Sequence, residues 1–458
     1  MRNSLYCTGI ALTLFSVVAC TPSSHDYSFP SQKGVEPDTW IASTPIVICD
    51  DTLHLTVRNG EYRINSGVWE STPRTLHRND TLTLRVKSND YPGDAAMCCA
   101  YMKNRQYTFL VQTRNFDIPT HRGEARNIHL GISGPDQTTL GGPSPLWLKY
   151  NKNNPKLSGS AVKKGLIPPI TPLINAQIRD AVICVGGDGL YYLTGSTGND
   201  IWHANDGVEL WRSADLKKWA YMGLVWSFEQ DATWQQWRFH KKAVRALWAP
   251  EIHYIKGNYY ITLSMPPGDR GLLKSTTGLP EGPYVNALAD DGYWKEDIDA
   301  SLFEDEDGSV YLVYGGGYIA RMKEDMSGLA EEPVKPVLID PDTNPSHHAS
   351  TCLTRRDCKD IGREGAFLFK RNGIYYLTAA DSYEGRYSSM VAMSESIYGP
   401  YRMRHEAVPC GGGTCYFKDR TGKWWCTFFG NDNQAPFREM PAIVPVDFAP
   451  DGTIHVIK

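Results

Sequence analysis

Two patterns of apolar and polar positions divide the chain. Over residues 45–116 they alternate with period two, in "LHLTVRN", "EYRIN", "TLTLRVKS" and "YTFLVQT". Gly60, Asn79-Asp80 and Pro92-Gly93 supply turns between these runs, so the pattern predicts short strands of a small β-sandwich. From residue 171 onward the apolar runs are denser and a phrase recurs. "GGDGLYYLTGS" (186–196), "IKGNYYITLSM" (255–265), "DEDGSVYLVYG" (305–315), "KRNGIYYLTAA" (370–380) and "DRTGKWWCTFF" (419–429) each join a glycine-bearing turn to an aromatic or β-branched strand. That is a hairpin signal. Five such units with no amphipathic helix between them predict an all-β chain, with a five-bladed β-propeller over 171–458 behind the sandwich. Residues 117–170, rich in Pro and Gly turns, read as a connector packing on both neighbours.

The N-terminus stands apart from both patterns. "MRNSLYCTGIALTLFSVVAC" carries one Arg and an apolar run too short to span a bilayer, which fits a signal peptide over 1–20. Its end, Val17-Val18-Ala19-Cys20, resembles a bacterial lipobox, implying lipidation of Cys20 and an exported, outer-membrane lipoprotein held by a lipid anchor alone. Residues 21–44, rich in Ser, Pro, Thr and Asp, read as a tether.

A net charge of −4 with scattered basic residues removes the electrostatic case for a nucleic-acid partner. Setting Cys7 and Cys20 aside leaves an odd number of cysteines without zinc spacing; Cys352/Cys358 or Cys410/Cys415/Cys426 could pair locally, and no connectivity follows. "EDEDG" (304–308) lacks the spacing of a calcium loop and reads as a solvated acidic turn, and His347-His348 has no second ligand pair.

The acids ahead of the hairpins carry the chemistry. Asp180 precedes the first, Asp299 the third and Glu364 the fourth, each followed by a small residue or two and then apolar ones. In equivalent blades, the three would crowd one central hollow. Repulsion and desolvation then raise the pKa of at least one. Paired carboxylates across a hollow suit glycoside hydrolysis, one protonating the leaving oxygen and the other activating water. Among the tryptophans, Trp211 and Trp219 read as packing residues, whereas Trp248 is the candidate for the funnel wall; Arg363, beside Glu364, is the candidate for contact with substrate hydroxyls.

The set "RDAV…DGLYYLTGS", "LWRSADLKKW", "LWAPEIHYIKGNYYITLS", "DIDASLFEDEDGSVYLVYG" and "EGAFLFKRNGIYYLTAADS" resembles glycoside hydrolase family 43 over roughly residues 175–430. The resemblance implies a five-bladed propeller that hydrolyses α-L-arabinofuranosides, β-xylosides or β-galactosides of plant-type oligo- or polysaccharides with inversion. Asp180 would be the general base, Glu364 the general acid, and Asp299 would orient Glu364 and tune its hold on the proton. Family members commonly carry proline near these acids, where Ala181, Ala300 and Ala366 stand here. No cofactor is required. Gly412 stands where a family histidine faces a central metal or water cluster, so a structural calcium would need other ligands. The residues 45–116 likewise resemble immunoglobulin-like modules of exported bacterial enzymes. A glycan-binding propeller lipoprotein without catalysis is the alternative, although binding alone needs none of the three acids.

Overall fold

The computed structural model describes residues 27–90, 94–114, 129–130, 160–198, 201–339, 360–432 and 434–458. Among them, strands account for all regular structure except a one-turn helix, Ser160–Lys163, and a 3-10 turn, Ala289–Asp291. They form two compact units divided between Arg114 and Asn115.

The first unit is a β-sandwich. One sheet runs in the order Gln32–Val35, Arg105–Thr113, Ala95–Met102, Thr52–Arg58, Arg74–His77. The other sets Trp40–Ala42, Ile46–Val47 and Glu61–Ile64 against Thr81–Lys87. Alternation decides the faces: Leu53, Leu55 and Val57 point inward from "TLHLTVR" and meet Leu82, Leu84, Val86 and Phe109 in one core. The sandwich starts earlier than its pattern indicates. Gln32–Val35 and Trp40–Ala42, inside the stretch read as tether, are strands, and Tyr27 and Phe29 are buried in the core. Both are short strands with few buried positions of their own, so period two has too few residues to register. Cys98 and Cys99 are free and wholly buried.

Besides a separate two-stranded hairpin, Arg238–His240 with Lys242–Val244, and the edge strand His129–Leu130 added to the first sheet, the described residues of the second unit form five antiparallel sheets in succession, built mainly from chain neighbours. Their first strands are Arg179–Val185, Trp248–Ile255, Ser301–Glu304, Glu364–Arg371 and Tyr416–Lys418. Each recurrent phrase supplies the turn and the second strand of its sheet. The turn glycines explain why the phrase recurs: Gly189, Gly257, Gly308, Gly373 and Gly422 all have φ between +75° and +86°, a conformation that costs other residues about 1 kcal/mol.

Five apolar layers lie between consecutive sheets. Leu210 and Trp226 of the first meet Ile252 and Ile261 of the second, and Leu272 meets Leu302 and Leu312 of the third. Val313 then meets Leu368 of the fourth, and Phe369 meets Phe428 and Val444 of the fifth. The last layer returns to the start, Cys415 and Phe417 packing on Val182, Ile183 and Leu193. Because both faces of each sheet are covered, the second strands lack the period-two alternation of the sandwich; all of Tyr191–Ser196 is buried. Ala161 and Ile167, at the end of the stretch read as connector, belong to the layer between the fourth and fifth sheets. Asp305 of the acidic turn is not simply solvated: it accepts from Lys370 Nζ at 2.8 Å and Tyr375 Oη at 2.6 Å on the next sheet.

Candidate active site

The same local geometry opens every sheet. Just ahead of or within the start of each first strand, one residue adopts a left-handed backbone: Asp180 (φ +51°), Ala249 (+41°), Asp299 (+58°), Gly365 (+65°) and Gly413 (+62°). In three sheets the strand register shifts at this point, between Arg179 and Val182, Trp248 and Glu251, and Glu364 and Phe367. Such a bulge breaks the alternation of faces, so consecutive side chains can look the same way. The result is one cavity of about 220 Å³ whose wall is made by Arg179, Asp180, Trp248, Ile298, Asp299 and Glu364. Ser196, Trp202 and Tyr387 complete it from second and third strands and a loop.

The three acids and Trp248 thus meet in one hollow, but not in the register read from the sequence. Aligned on the left-handed residue, Asp180 and Asp299 are equivalent, whereas Glu364 stands one position earlier, level with Arg179, Trp248 and Ile298. Arg363 is absent from the wall. Its side chain, 40% exposed, turns back to pair through Nη2 with Glu364 Oε1 at 3.0 Å. Arg179, Ser196 and Tyr387 had no signal in the sequence, and Trp202, one of several tryptophans that composition does not separate, is 40% exposed at the cavity.

Hydrogen bonds tie the heads of the second, third and fourth sheets each to the sheet before. Ser196 Oγ donates to Asp180 Oδ2 at 3.0 Å and accepts from the Ala249 N–H at 2.8 Å. Ser264 Oγ accepts from the Asp299 N–H at 2.7 Å, and the Gly365 N–H donates to Asp299 Oδ2 at 3.0 Å. The last contact locks Asp299 beside the backbone that carries Glu364. Glu364 Oε1 also accepts from Tyr387 Oη at 2.9 Å, while its Oε2 takes no hydrogen bond from the described residues.

Crowding in the hollow has an electrostatic cost. Burial pushes the Asp180 carboxyl up to about 6; Arg179 and the Ser196 hydroxyl oppose this, and Glu364 and Glu439 add to it. Asp299 is raised well above the usual range by burial, then by the charges of Asp180, Glu364 and Glu251, against the pull of the Gly365 N–H. Tyr387 is raised by burial and by the same carboxylates, so its hydroxyl stays a donor.

The described residues contain no group of three or more His, Cys, Asp or Glu placed to hold a metal. Gly412 offers no side chain, and its ideal Cβ would strike the Tyr387 ring at 2.4 Å. The residues present therefore do not fit an axial calcium bound through that position. Cys410, Cys415 and Cys426 are free and buried. Cys20, Cys352, Cys358, His347 and His348 lie outside the described residues.

The model of "Glycosyl hydrolases family 43" matches residues 170–454. This chain belongs to glycosyl hydrolase family 43. Among characterised members it is 29% identical over 177 residues to the β-D-galactofuranosidase of Aspergillus niger, covering 34% of this chain and 46% of that one. It is 23% identical over 255 residues to the extracellular exo-α-(1→5)-L-arabinofuranosidase of Cellvibrio japonicus, covering 49% and 66%. The solved family 43 enzyme of Xanthomonas citri complexed with xylotriose has the same fold over 66% of this chain and 96% of that one, with a TM-score of 0.50 at 21% identity. Measured on the relatives' own lengths, this family 43 chain spans 34% of the "Putative beta-xylosidase" of Xylanibacter ruminicola and 46% of the Aspergillus niger protein.

Proposed function

We propose that the protein is an inverting glycosidase that removes terminal or side-chain α-L-arabinofuranosyl, β-xylosyl or β-galactosyl units from plant-type polysaccharide. The single observation that carries this reading is the convergence of three carboxylates from three different sheets on one sugar-sized cavity. Its five sheets act as the blades of a closed propeller, supported by the apolar layer that joins the fifth sheet to the first.

In this reading a sugar ring enters beside Trp202 and Trp248. Glu364, through the open Oε2, gives its proton to the glycosidic oxygen as the C–O bond breaks. Asp180 takes a proton from the water whose oxygen attacks the anomeric carbon from the opposite face. Each cycle leaves Asp180 protonated and Glu364 ionised, and exchange with solvent restores both. Asp299 orients the Glu364 segment through Gly365. Arg363 acts on Glu364 and not directly on substrate.

The test is turnover of 4-nitrophenyl α-L-arabinofuranoside, β-xyloside and β-galactoside, with proton NMR of the first-formed anomer. An inverted anomer is expected. A retained one overturns the mechanism, and tight glycan binding without turnover of any oligosaccharide leaves the binding-module alternative.

The same proposal includes an exported lipoprotein anchored at Cys20 in the outer membrane, with the N-terminal sandwich as an immunoglobulin-like module. The lipobox resemblance of Val17-Val18-Ala19-Cys20 supports the anchor. Cys20→Ser is expected to move the protein from the membrane to the soluble fraction; unchanged membrane retention rules the anchor out.

A further inference from the structure

Arg179 is the one cation among the described residues that line the cavity. Alternation along a regular strand would send it and Asp180 to opposite faces, but the bulge between Arg179 and Val182 keeps both on the hollow. It is only 7% exposed and held from behind. Its Nη1 donates to Asn431 Oδ1 at 2.7 Å and Glu439 Oε1 at 3.2 Å, and the Gln177 amide donates to Glu439 Oε2 at 2.7 Å.

The guanidinium is also layered between two rings. Its central carbon lies 5.0 Å from the centroid of Phe429 and 4.4 Å from that of Trp202. Trp202 in turn meets Trp248 edge to face, with centroids 6.2 Å apart. Phe429 is buried, whereas Trp202 is exposed and lines the cavity. The clamped guanidinium thus lies over the face of an indole that is partly exposed on its loop, where a fixed planar cation can hold the ring's orientation.

The charge has a second consequence. Asp180 is faced by Glu364, Asp299 and Glu439, which oppose its ionisation, by the Tyr387 and Ser196 hydroxyls, and by Arg179. No other cation balances these acids at Asp180 among the described lining residues.

We propose that Arg179 is a positioning residue with two separable effects: its plane fixes Trp202 as the wall on which the sugar ring stacks, and its charge keeps Asp180 ionised as the pH falls. The inference rests on the reading of Asp180 as the base.

Lysine separates the two effects, because it keeps the charge but has no plane to stack. The experiment measures kcat and KM against pH in the intact protein, on whichever 4-nitrophenyl glycoside is turned over. The variants are Arg179→Lys, Trp202→Ala, Glu439→Gln, and Arg179→Met combined with Glu439→Gln. The combined variant avoids leaving Glu439 buried without its partner. Relative to Glu439→Gln alone, it is expected to move the acid limb of kcat/KM up by about one pH unit and to raise KM roughly tenfold. Arg179→Lys should leave the limb in place and still raise KM; Trp202→Ala should do the same. An unmoved limb in the combined variant overturns the charge effect. Unchanged KM in Arg179→Lys, measurable even if the combined variant does not fold, overturns the stacking effect. A merely structural role would lower thermal stability and kcat without shifting the limb. Failure of the underlying reading is distinguishable, since Asp180→Asn would then stay active.

Discussion

Replacement of Glu364 by glutamine is expected to cut kcat on oligosaccharides by 10²–10⁴-fold, roughly the contribution of one positioned general acid. The amide fills the same volume and its oxygen can still accept from the Tyr387 hydroxyl and Arg363, so the cavity keeps its shape. What is lost is the proton at the position of Oε2. The loss must therefore depend on the leaving group. A sugar alkoxide leaves poorly without protonation and feels the full effect, whereas a 2,4-dinitrophenolate needs no acid and should be released at nearly the native rate. The measurement is a plot of log kcat/KM against leaving-group pKa for native and variant protein. A steep slope in the variant and a shallow one in the native enzyme is the expected pair. Equal slopes would remove Glu364 from the role of acid, and because the substrates share one glycone, altered sugar binding would shift both lines without changing their slopes.

The hairpins were legible because backbone geometry forces the sequence there. Gly189, Gly257, Gly308, Gly373 and Gly422 must occupy a left-handed turn, and the buried second strands that follow are mostly apolar or aromatic. The acids were legible as acids, since each stands just ahead of an apolar run. The heads of the first strands were not. Aspartate tolerates the left-handed region well enough that nothing in "RDAV" announces a bulge and nothing in "DIDAS" a left-handed residue. Without the bulge, period two sends Arg179 away from the hollow, and Glu364 looks level with Asp180 when it stands one place earlier. Tyr387 comes from the third strand of the fourth sheet, inside "RYSSMVAMS", where a tyrosine reads as core. Trp202 sits in a loop among seven tryptophans clustered at 202–248, and composition alone does not separate a packed indole from an exposed one. The order of elements was thus written in the turns, while the wall of the site was set by departures from regular strands.

Asp180→Asn should give a protein that is nearly inactive and more stable than the native one at pH 7. The activity loss, 10³-fold or more, follows from the role proposed for Asp180, taking the proton from the attacking water. The stability gain follows from the raised carboxyl. With a folded value of about 6 against 3.8 for the free side chain, the folded state holds a proton that the unfolded state has released between those limits. Stability therefore falls as pH rises through that window, and above it the ionised Asp180 costs up to about 3 kcal/mol. Below about pH 4 both states are protonated and the cost disappears. Asparagine carries no charge, can accept from Ser196 Oγ, and adopts φ near +51° as readily as aspartate, so neither the hydrogen bond nor the backbone confounds the comparison. Urea unfolding should show the variant ahead at pH 7 and level at pH 4, and the native kcat/KM should fall tenfold per pH unit below about 6. Equal stability of the two proteins at pH 7 would mean that Asp180 is not held against its solvation, and an acid limb near pH 4 would say the same from activity. Both measurements report one quantity, the work of keeping a carboxylate ionised in a crowded hollow, which is the work a general base at this position requires.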